Sequence, residues 1–293
     1  MTIKHIVISG AAYNGINQVG TIYKLEENGI INKDDIESIY ATSAGVIAMV
    51  IWMLGIEKSV LYDYIINRPW HKMYQLKLED CFSILQERGL LDKNIFINIM
   101  SPILRSKNID LNITLKEFHD IIHTDFNIYV TDTNTIKYKC LNHETYPNLK
   151  LLDAIYMTSS LPGIFKPMKL DGSFVIDGGI CCFFPVKNCI NDGCKMEEIL
   201  GIKVTRMKDK MNDDINILEY FTTLVNNIVV RLSSPQECEL TNIINIQLNM
   251  LGAELNDILN NSEKRKNMLC NGETAAEKFI HTYLQSSIKE LVK

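Results

Sequence analysis

The chain reads ESIYATSAGVIAMVIWML over residues 37–54, and Ser43 divides this segment into two patterns. The six residues before Ser43 favour a short β-strand, and those after it favour a buried helix that ends at Gly55. Small neighbours let strand and helix pass closely and push the serine hydroxyl out of the turn, as a nucleophile elbow requires. Taken alone, the segment supports a nucleophile and a helix N-cap equally well.

The segments before this elbow continue a pattern of alternating strands and helices. Residues 5–9 favour a strand, a glycine-containing loop follows, and residues 16–28 favour a helix that ends at Gly29. The order strand, loop, helix, strand, elbow, helix is typical of a parallel sheet with crossover helices. The sequence therefore predicts an α/β fold.

The rest of the chain adds two hairpins and a mostly helical C-terminal third. Predicted elements are helices within 56–125 (62–70 and 76–91), hairpins over 127–141 and 169–176, a helix over 151–159 and a strand over 199–205. From Glu273 onward one apolar helical stripe predicts a helix docked on the core rather than a membrane anchor. We expect a single domain over residues 1–293, with a motif-bearing core at about 5–205 and a mostly helical part at about 206–293.

Composition and charge narrow the class of protein. The 293 residues are 46% hydrophobic and 22% charged, and the net charge of −5 gives no reason to expect a nucleic-acid partner. No signal peptide is visible, and the longest apolar run, Val46–Leu54, is far shorter than the about 20 residues that span a bilayer. Eight scattered cysteines indicate reduced thiols. We expect an intracellular protein, cytoplasmic or peripheral to a membrane.

The loop Gly10–Gly15 is a candidate oxyanion hole. Small residues let backbone N–H groups approach an oxyanion, and the helix N-terminus behind the loop adds positive potential. Gly10-x-Ala12-x-x-Gly15 also resembles a dinucleotide-binding loop, but the next strand ends at Ser43 without the acidic residue that holds the ribose. The oxyanion interpretation fits better.

Asp177-Gly178-Gly179 supplies a candidate base for Ser43. An aspartate at a strand end, followed by two glycines, can present its carboxylate to a second loop at close range. A simple turn is the alternative interpretation. The order Ser43, Asp177, His281 would also suit a catalytic triad, but His281 lies inside a predicted amphipathic helix, and His143 is a weaker third candidate.

Histidines and carboxylates also occur together on one predicted helix. His119 and His123 are spaced i,i+4, beside Asp120 and Asp125, which is one arrangement for a metal. No further ligand motif accompanies them, so neither a metal nor a cofactor is predicted.

Four ordered blocks resemble the patatin-like phospholipase family. They are the loop Gly10–Gly15 with Gly20 after it, the small-x-Ser-x-Gly elbow that ends at Gly45, Asp177-Gly178-Gly179, and TSSLPGIFKP at residues 158–167. The resemblance covers residues 5 to about 205. In that family the loop is the oxyanion hole, and the serine and aspartate form a dyad.

The sequence departs from the family pattern at four places. The family's Gly-Gly-Gly is Gly10-Ala11-Ala12 here, its Arg or Lys before Gly15 is Asn14, and its first elbow glycine is Ala41. Its asparagine before Pro185 is replaced by Phe183 or Phe184. These changes bear on rate and substrate preference more than on reaction class.

The resemblance implies a parallel-centred, mixed β-sheet flanked by helices and a calcium-independent hydrolase of phospholipase A or lipase type. Ser43 would be the nucleophile and Asp177 the base, while Gly10, Ala11 and Ala12 would form the oxyanion hole. Supporting residues would be Asn14, Gly15, Gly45, Gly178 and Gly179. The substrate would be a phospholipid or another acyl lipid, with peripheral membrane contact. The departures motivate one alternative, a catalytically weakened module that binds lipid or protein.

Overall fold

Short runs of isoleucine, valine and leucine form the strands of this protein. The computed structural model describes residues 2–73, 86–205, 220, 223–224, 227, 240–247 and 255–291. The strands are β1 (His5–Ile8), β2 (Ser38–Thr42), β3 (Gly89–Leu91), β4 (Asp125–Asp132), β5 (Lys137–Leu141), β6 (Gly163–Phe165), β7 (Met168–Leu170), β8 (Ser173–Asp177), β9 (Ile199–Thr205) and β10 (Ile243–Gln247). The described α-helices are α1 (Gly15–Glu27), α2 (Ala44–Met53), α3 (Lys58–Asn67), α4 (Asn94–Ser106), α5 (Leu115–Ile122), α6 (Leu151–Thr158), α7 (Val186–Asn191), α8 (Leu255–Asn260) and α9 (Ser262–Leu291).

Eight strands form one mixed sheet in the order β10-β9-β1-β2-β4-β8-β7, with β5 also paired to β4. The strands from β10 to β4 are parallel, β5 and β8 run antiparallel to β4, and β7 runs antiparallel to β8. β1 and β2 are buried along their whole length, as expected of parallel strands covered on both faces. The predicted α/β class, with a parallel-centred mixed sheet flanked by helices, is confirmed.

Two strands meet end to end along the same edge of β4. β2 pairs with β4 up to Thr42 opposite Tyr129, and β8 pairs with β4 from Asp177 opposite Val130. β5 occupies the other edge of β4 over Ile128–Asp132. Since Tyr129 and Val130 are consecutive, the carboxyl ends of β2 and β8 are brought together at one point of the sheet.

The C-terminal helix α9 packs directly against α1. A Cβ atom at Gly20 would lie 2.1 Å from the Leu269 carbonyl oxygen, and one at Gly272 would lie 1.9 Å from the Asn17 carbonyl oxygen. Thr21 Oγ1 also donates a 3.0 Å hydrogen bond to the Gly272 carbonyl. The predicted docking of this helix on the core is confirmed, although the helix begins at Ser262 rather than near residue 273.

Three short strands were missed by the sequence prediction. β10 lies in the part expected to be mostly helical, and it extends the sheet beyond β9. β3 and β6 form a separate two-stranded parallel sheet, and β3 occupies the end of the helix predicted over 76–91. The rest of that predicted helix lies largely outside the described residues. Runs of three to five apolar residues are too short for periodicity to separate strand from helix.

Other sequence expectations concern thiols and membrane spans. Six cysteines in the described part of the chain are free thiols, in agreement with the prediction, whereas Cys81 and Cys238 lie outside it. Among the described residues, no helix has the length and apolarity needed to cross a bilayer.

Candidate active site

Ser43 lies in the sharp turn between β2 and α2. Its backbone has φ 53° and ψ −128°, a conformation that residues with a side chain rarely adopt. Ser43 occupies the N-cap position of α2, but its side chain makes no capping hydrogen bond to that helix. Ser43 Oγ instead donates a 2.8 Å hydrogen bond to Asp177 Oδ2. The turn therefore points the hydroxyl at a carboxylate, beside the positive end of the α2 dipole.

Asp177 is the last residue of β8 and is only 4% exposed. Its second carboxylate oxygen, Oδ1, accepts a 2.7 Å hydrogen bond from the Gly179 backbone N–H. Its own backbone N–H donates to the Ser160 carbonyl at 2.9 Å, and its carbonyl accepts from Thr131 Oγ1 at 2.9 Å. One oxygen of the carboxylate is thus fixed by the backbone while the other faces Ser43.

Thr158 holds the elbow in place, and the sequence prediction did not assign it a role. Its Oγ1 accepts a 3.0 Å hydrogen bond from the Ser43 backbone N–H and donates a 2.5 Å hydrogen bond to the Tyr129 carbonyl. Thr158 is fully buried at the end of α6. The signal was present in the sequence, because Thr158 opens the TSSLPGIFKP block.

The loop Gly10–Gly15 follows β1 and lies against Ser43. A Cβ atom at Gly10 would lie 3.5 Å from Ser43 Cβ. The Gly10 N–H donates a 3.0 Å hydrogen bond to the Phe183 carbonyl, so it is not free to receive an oxyanion, which corrects the expectation for this residue. The N–H groups of Ala11 and Ala12 have no acceptor within the described part of the chain. These two amides remain as candidate oxyanion donors.

The backbone of this loop suits an anion. φ changes sign between Ala11 (−150°) and Ala12 (48°), and such alternation lets successive N–H groups face one concavity. Asn14 is the N-cap residue of α1, so the positive end of that helix lies directly behind the loop. The arrangement supplies partial positive charge without a cationic side chain.

Glycines permit the close approaches that assemble these pieces. A Cβ atom at Gly15 would lie 2.9 Å from Ala44 Cβ, and one at Gly45 would lie 2.7 Å from the Ser9 carbonyl oxygen. A Cβ atom at Gly178 would lie 2.0 Å from the Tyr129 carbonyl oxygen, and a Cβ atom at Gly179 would lie 2.9 Å from Asp177 Oδ1. The structure thus brings the predicted supporting glycines to the same place as Ser43.

The histidines considered as triad members lie elsewhere. His281 is exposed on α9, and His143 lies in the turn after β5, near His119 and Asp125. His123 takes a left-handed conformation at the C-cap of α5. The carboxylate of Asp177, and none of these imidazoles, accepts the hydrogen bond from Ser43.

Comparisons with known proteins find a family and two viral relatives. The family described as "Patatin-like phospholipase" matches residues 6–190. "Probable lipid hydrolase 463L" of Invertebrate iridescent virus 6 is 26% identical over 230 residues, which are 77% of this chain and 73% of that protein. "Uncharacterized protein R571" of Acanthamoeba polyphaga mimivirus is 20% identical over 212 residues, covering 72% of this chain and 68% of that protein.

Two solved structures share the fold. VipD from Legionella pneumophila superposes with a TM-score of 0.56 at 15% identity, covering 96% of this chain and 67% of VipD. The type III effector ExoU from Pseudomonas aeruginosa superposes with a TM-score of 0.51 at 11% identity. That match covers 96% of this chain but only 53% of ExoU, so this chain spans about half of that structure.

Proposed function

The chain belongs to the patatin-like phospholipase family, and on that premise we propose that it hydrolyses fatty-acyl esters of lipids with a Ser43–Asp177 dyad. The observation that carries the proposal is the 2.8 Å hydrogen bond from Ser43 Oγ to Asp177 Oδ2. The two residues are 134 positions apart in the chain, and the turn at Ser43 is strained. Strain of this kind clusters at active sites.

The first half of the reaction acylates Ser43. Asp177 Oδ2 takes the hydroxyl proton while Ser43 Oγ attacks the ester carbonyl carbon, and the Ala11 and Ala12 amides receive the resulting oxyanion. When the tetrahedral intermediate collapses, Asp177 returns the proton to the leaving alcohol. The Gly179 N–H keeps the carboxylate oriented throughout.

The second half releases the fatty acid. Asp177 takes a proton from water, which attacks the acyl-enzyme carbonyl, and the oxyanion again lies at the two alanine amides. Collapse expels Ser43 Oγ, which recovers its proton from Asp177. Each group ends in the state in which it began, and the proposed steps need no metal.

The proposed substrate class is supported by the family and by one relative. The family description names phospholipases and the iridovirus relative is named a lipid hydrolase, which supports a phospholipid or another acyl lipid as substrate. Such substrates are held in membranes, so peripheral membrane contact is part of the proposal.

One observation favours the alternative of a weakened module that binds lipid or protein. The Gly10 N–H is already bonded to the Phe183 carbonyl, and methyl groups at Ala11 and Ala12 narrow access to the two remaining amides. Losing one oxyanion donor costs about 10²–10³-fold in rate. Slow turnover with retained lipid binding would therefore fit this alternative.

A fluorophosphonate probe separates the two proposals. We expect it to label the wild type and not Ser43→Ala, and Asp177→Asn to lower hydrolysis of a long-chain ester by about 10²–10⁴-fold while staying folded. Full activity in Asp177→Asn would contradict the dyad. Lipid binding without probe labelling of the wild type would favour the weakened module.

A further inference from the structure

A second group of reactive side chains lies at the opposite end of the sheet from Ser43. His119 lies on α5, Asp125 is the first residue of β4, and His143 lies in the turn after β5. One ligand atom from each residue lies within 4.8 Å of the other two. The sequence pattern paired His119 with His123, but the fold brings His143 to this group instead.

The distances in this group suit one metal ion. His119 Nε2 lies 3.3 Å and His143 Nε2 lies 3.9 Å from Asp125 Oδ1. Two ligands of a tetrahedral zinc ion, each about 2.0–2.1 Å from it, are about 3.4 Å apart. The imidazole rings are stacked, with centroids 3.7 Å apart and planes 14° apart. Near-parallel rings do not aim both Nε2 lone pairs at one point, so the proposed ion requires the rings to rotate out of this stack.

The imidazole nitrogens that do not face Asp125 lack hydrogen-bond partners among the described residues. His119 Nδ1 and His143 Nδ1 are both buried, and neither has a hydrogen-bond partner in the described part of the chain. A buried nitrogen without a hydrogen bond costs free energy, so His119 and His143 do not form a fully satisfied hydrogen-bonded cluster. Asp120 Oδ1 lies 3.6 Å from His119 Nδ1, beyond hydrogen-bond distance, and is paired with Lys116 Nζ at 2.6 Å.

A cavity gives access to the group. Asp125 and His143 line a cavity of about 520 Å³, together with the acidic residues Glu37, Glu144 and Asp192. Glu37 is paired with Lys4 Nζ at 2.8 Å, and the carboxylates of Glu144 and Asp192 add negative charge that attracts a cation. The cavity also leaves space for a water molecule at the fourth position of a tetrahedral ion.

We propose that His119, Asp125 and His143 bind one divalent transition-metal ion of the Zn²⁺ class. Two imidazole nitrogens and one carboxylate oxygen are typical zinc ligands, whereas Mg²⁺ and Ca²⁺ take mainly oxygen ligands. This assignment goes beyond the prediction of no metal, which rested on sequence spacing alone.

The ion has a structural role, joining α5, β4 and the turn after β5. Ser38, which lines the same cavity, is five residues from Ser43 along β2, or roughly 16 Å at about 3.3 Å per residue. At that distance the ion does not touch a substrate bound at Ser43. The proposal is therefore independent of ester hydrolysis.

The test is a calorimetric titration of the EDTA-treated full chain with Zn²⁺. Wild type is compared with His119→Gln, with His143→Gln, and with His281→Gln, which changes an exposed histidine on α9. We expect one equivalent to bind wild type and the His281→Gln control with equal affinity, and Kd to rise about 10-fold or more in the other two variants. Zn²⁺ at about 100 times Kd is expected to raise the wild-type Tm by roughly 5 °C.

Spectroscopy and a milder variant complete the test. Co²⁺ bound in place of Zn²⁺ is expected to show no thiolate charge-transfer band, which excludes binding by the cysteines. If the histidine variants do not fold, Asp125→Asn changes an exposed proposed ligand and is expected to weaken Zn²⁺ binding by more than about 10-fold. The proposal is overturned if wild type binds no stoichiometric Zn²⁺, if Co²⁺ gives a thiolate spectrum, or if the folded variants bind as tightly as wild type.

Discussion

Replacing Thr158 by valine is expected to lower both stability and activity. Valine preserves the shape of this fully buried side chain but removes the hydrogen bonds to the Ser43 N–H and the Tyr129 carbonyl. An unsatisfied buried N–H costs about 1–3 kcal/mol, and a lost neutral hydrogen bond costs about 1 kcal/mol. The free energy of unfolding should therefore fall by roughly 2–4 kcal/mol.

The activity falls because the same bonds hold Ser43. A residue with φ 53° and ψ −128° is strained by about 1–3 kcal/mol and keeps this conformation only while its surroundings impose it. Without the Thr158 hydroxyl, the Ser43 backbone can relax and move the nucleophile. A displacement of about 1 Å can cost about 10²-fold, so we expect kcat to fall by about 10–100-fold.

Thr158→Ser is the matched control, since it keeps the hydroxyl and loses only a methyl group. Urea unfolding measures stability. The rate of fluorophosphonate labelling and the rate of hydrolysis of a long-chain ester both measure the reactivity of Ser43. Thr158→Ser should stay within about threefold of the wild-type rate. The reasoning is refuted if Thr158→Val unfolds and reacts like wild type, or if the serine variant is damaged as much as the valine variant.

Three other perturbations test separate parts of the fold. Ser43→Gly should be more stable than Ser43→Ala by about 1 kcal/mol in urea unfolding, because glycine adopts the positive φ without strain; equal stability would argue against a strained elbow. Gly20→Ala should lower the free energy of unfolding by about 1–3 kcal/mol, because the alanine Cβ would lie 2.1 Å from the Leu269 carbonyl oxygen. An unchanged free energy of unfolding would mean that α9 shifts freely on α1. Burial lowers the pKa of His5, against the opposing charge of Glu37. The unfolded chain therefore binds more protons than the folded chain as pH falls through about 6.5. The urea concentration at the unfolding midpoint should fall when the pH is lowered from about 8 to about 5.5, and it should fall less in His5→Gln.

The sequence predicted the alternating elements well and the short ones poorly. The elbow around Ser43 combines a strand pattern, small flanking residues and a long apolar helix, so several local signals agree there. β10 and β6 have no such agreement, because three to five apolar residues suit either a strand or a buried helix. Their pairing with β9 and β3 is decided by tertiary contacts that local patterns do not contain.

The candidate site shows the same division between local and long-range information. Ser43, Asp177 and the Gly10 loop each carry a local motif, and all three come together in the structure. The engagement of the Gly10 N–H by Phe183 has no local signal, because it depends on a segment more than 170 residues away in the chain. The cluster of His119, Asp125 and His143 was likewise missed in part, since His143 reaches it only through the β4–β5 hairpin.

Three buried threonines explain why the ends of β2 and β8 stay together. Thr42 Oγ1 donates to the Cys182 carbonyl at 2.8 Å, Thr131 Oγ1 to the Asp177 carbonyl at 2.9 Å, and Thr158 Oγ1 to the Tyr129 carbonyl at 2.5 Å. All three are fully buried, and each ties a strand or helix end to the backbone of another segment. In the sequence they are ordinary β-branched residues of strands and helices. Because their hydroxyls satisfy carbonyls exposed where pairing ends, these neutral hydrogen bonds help to hold the ends of β2 and β8 beside each other.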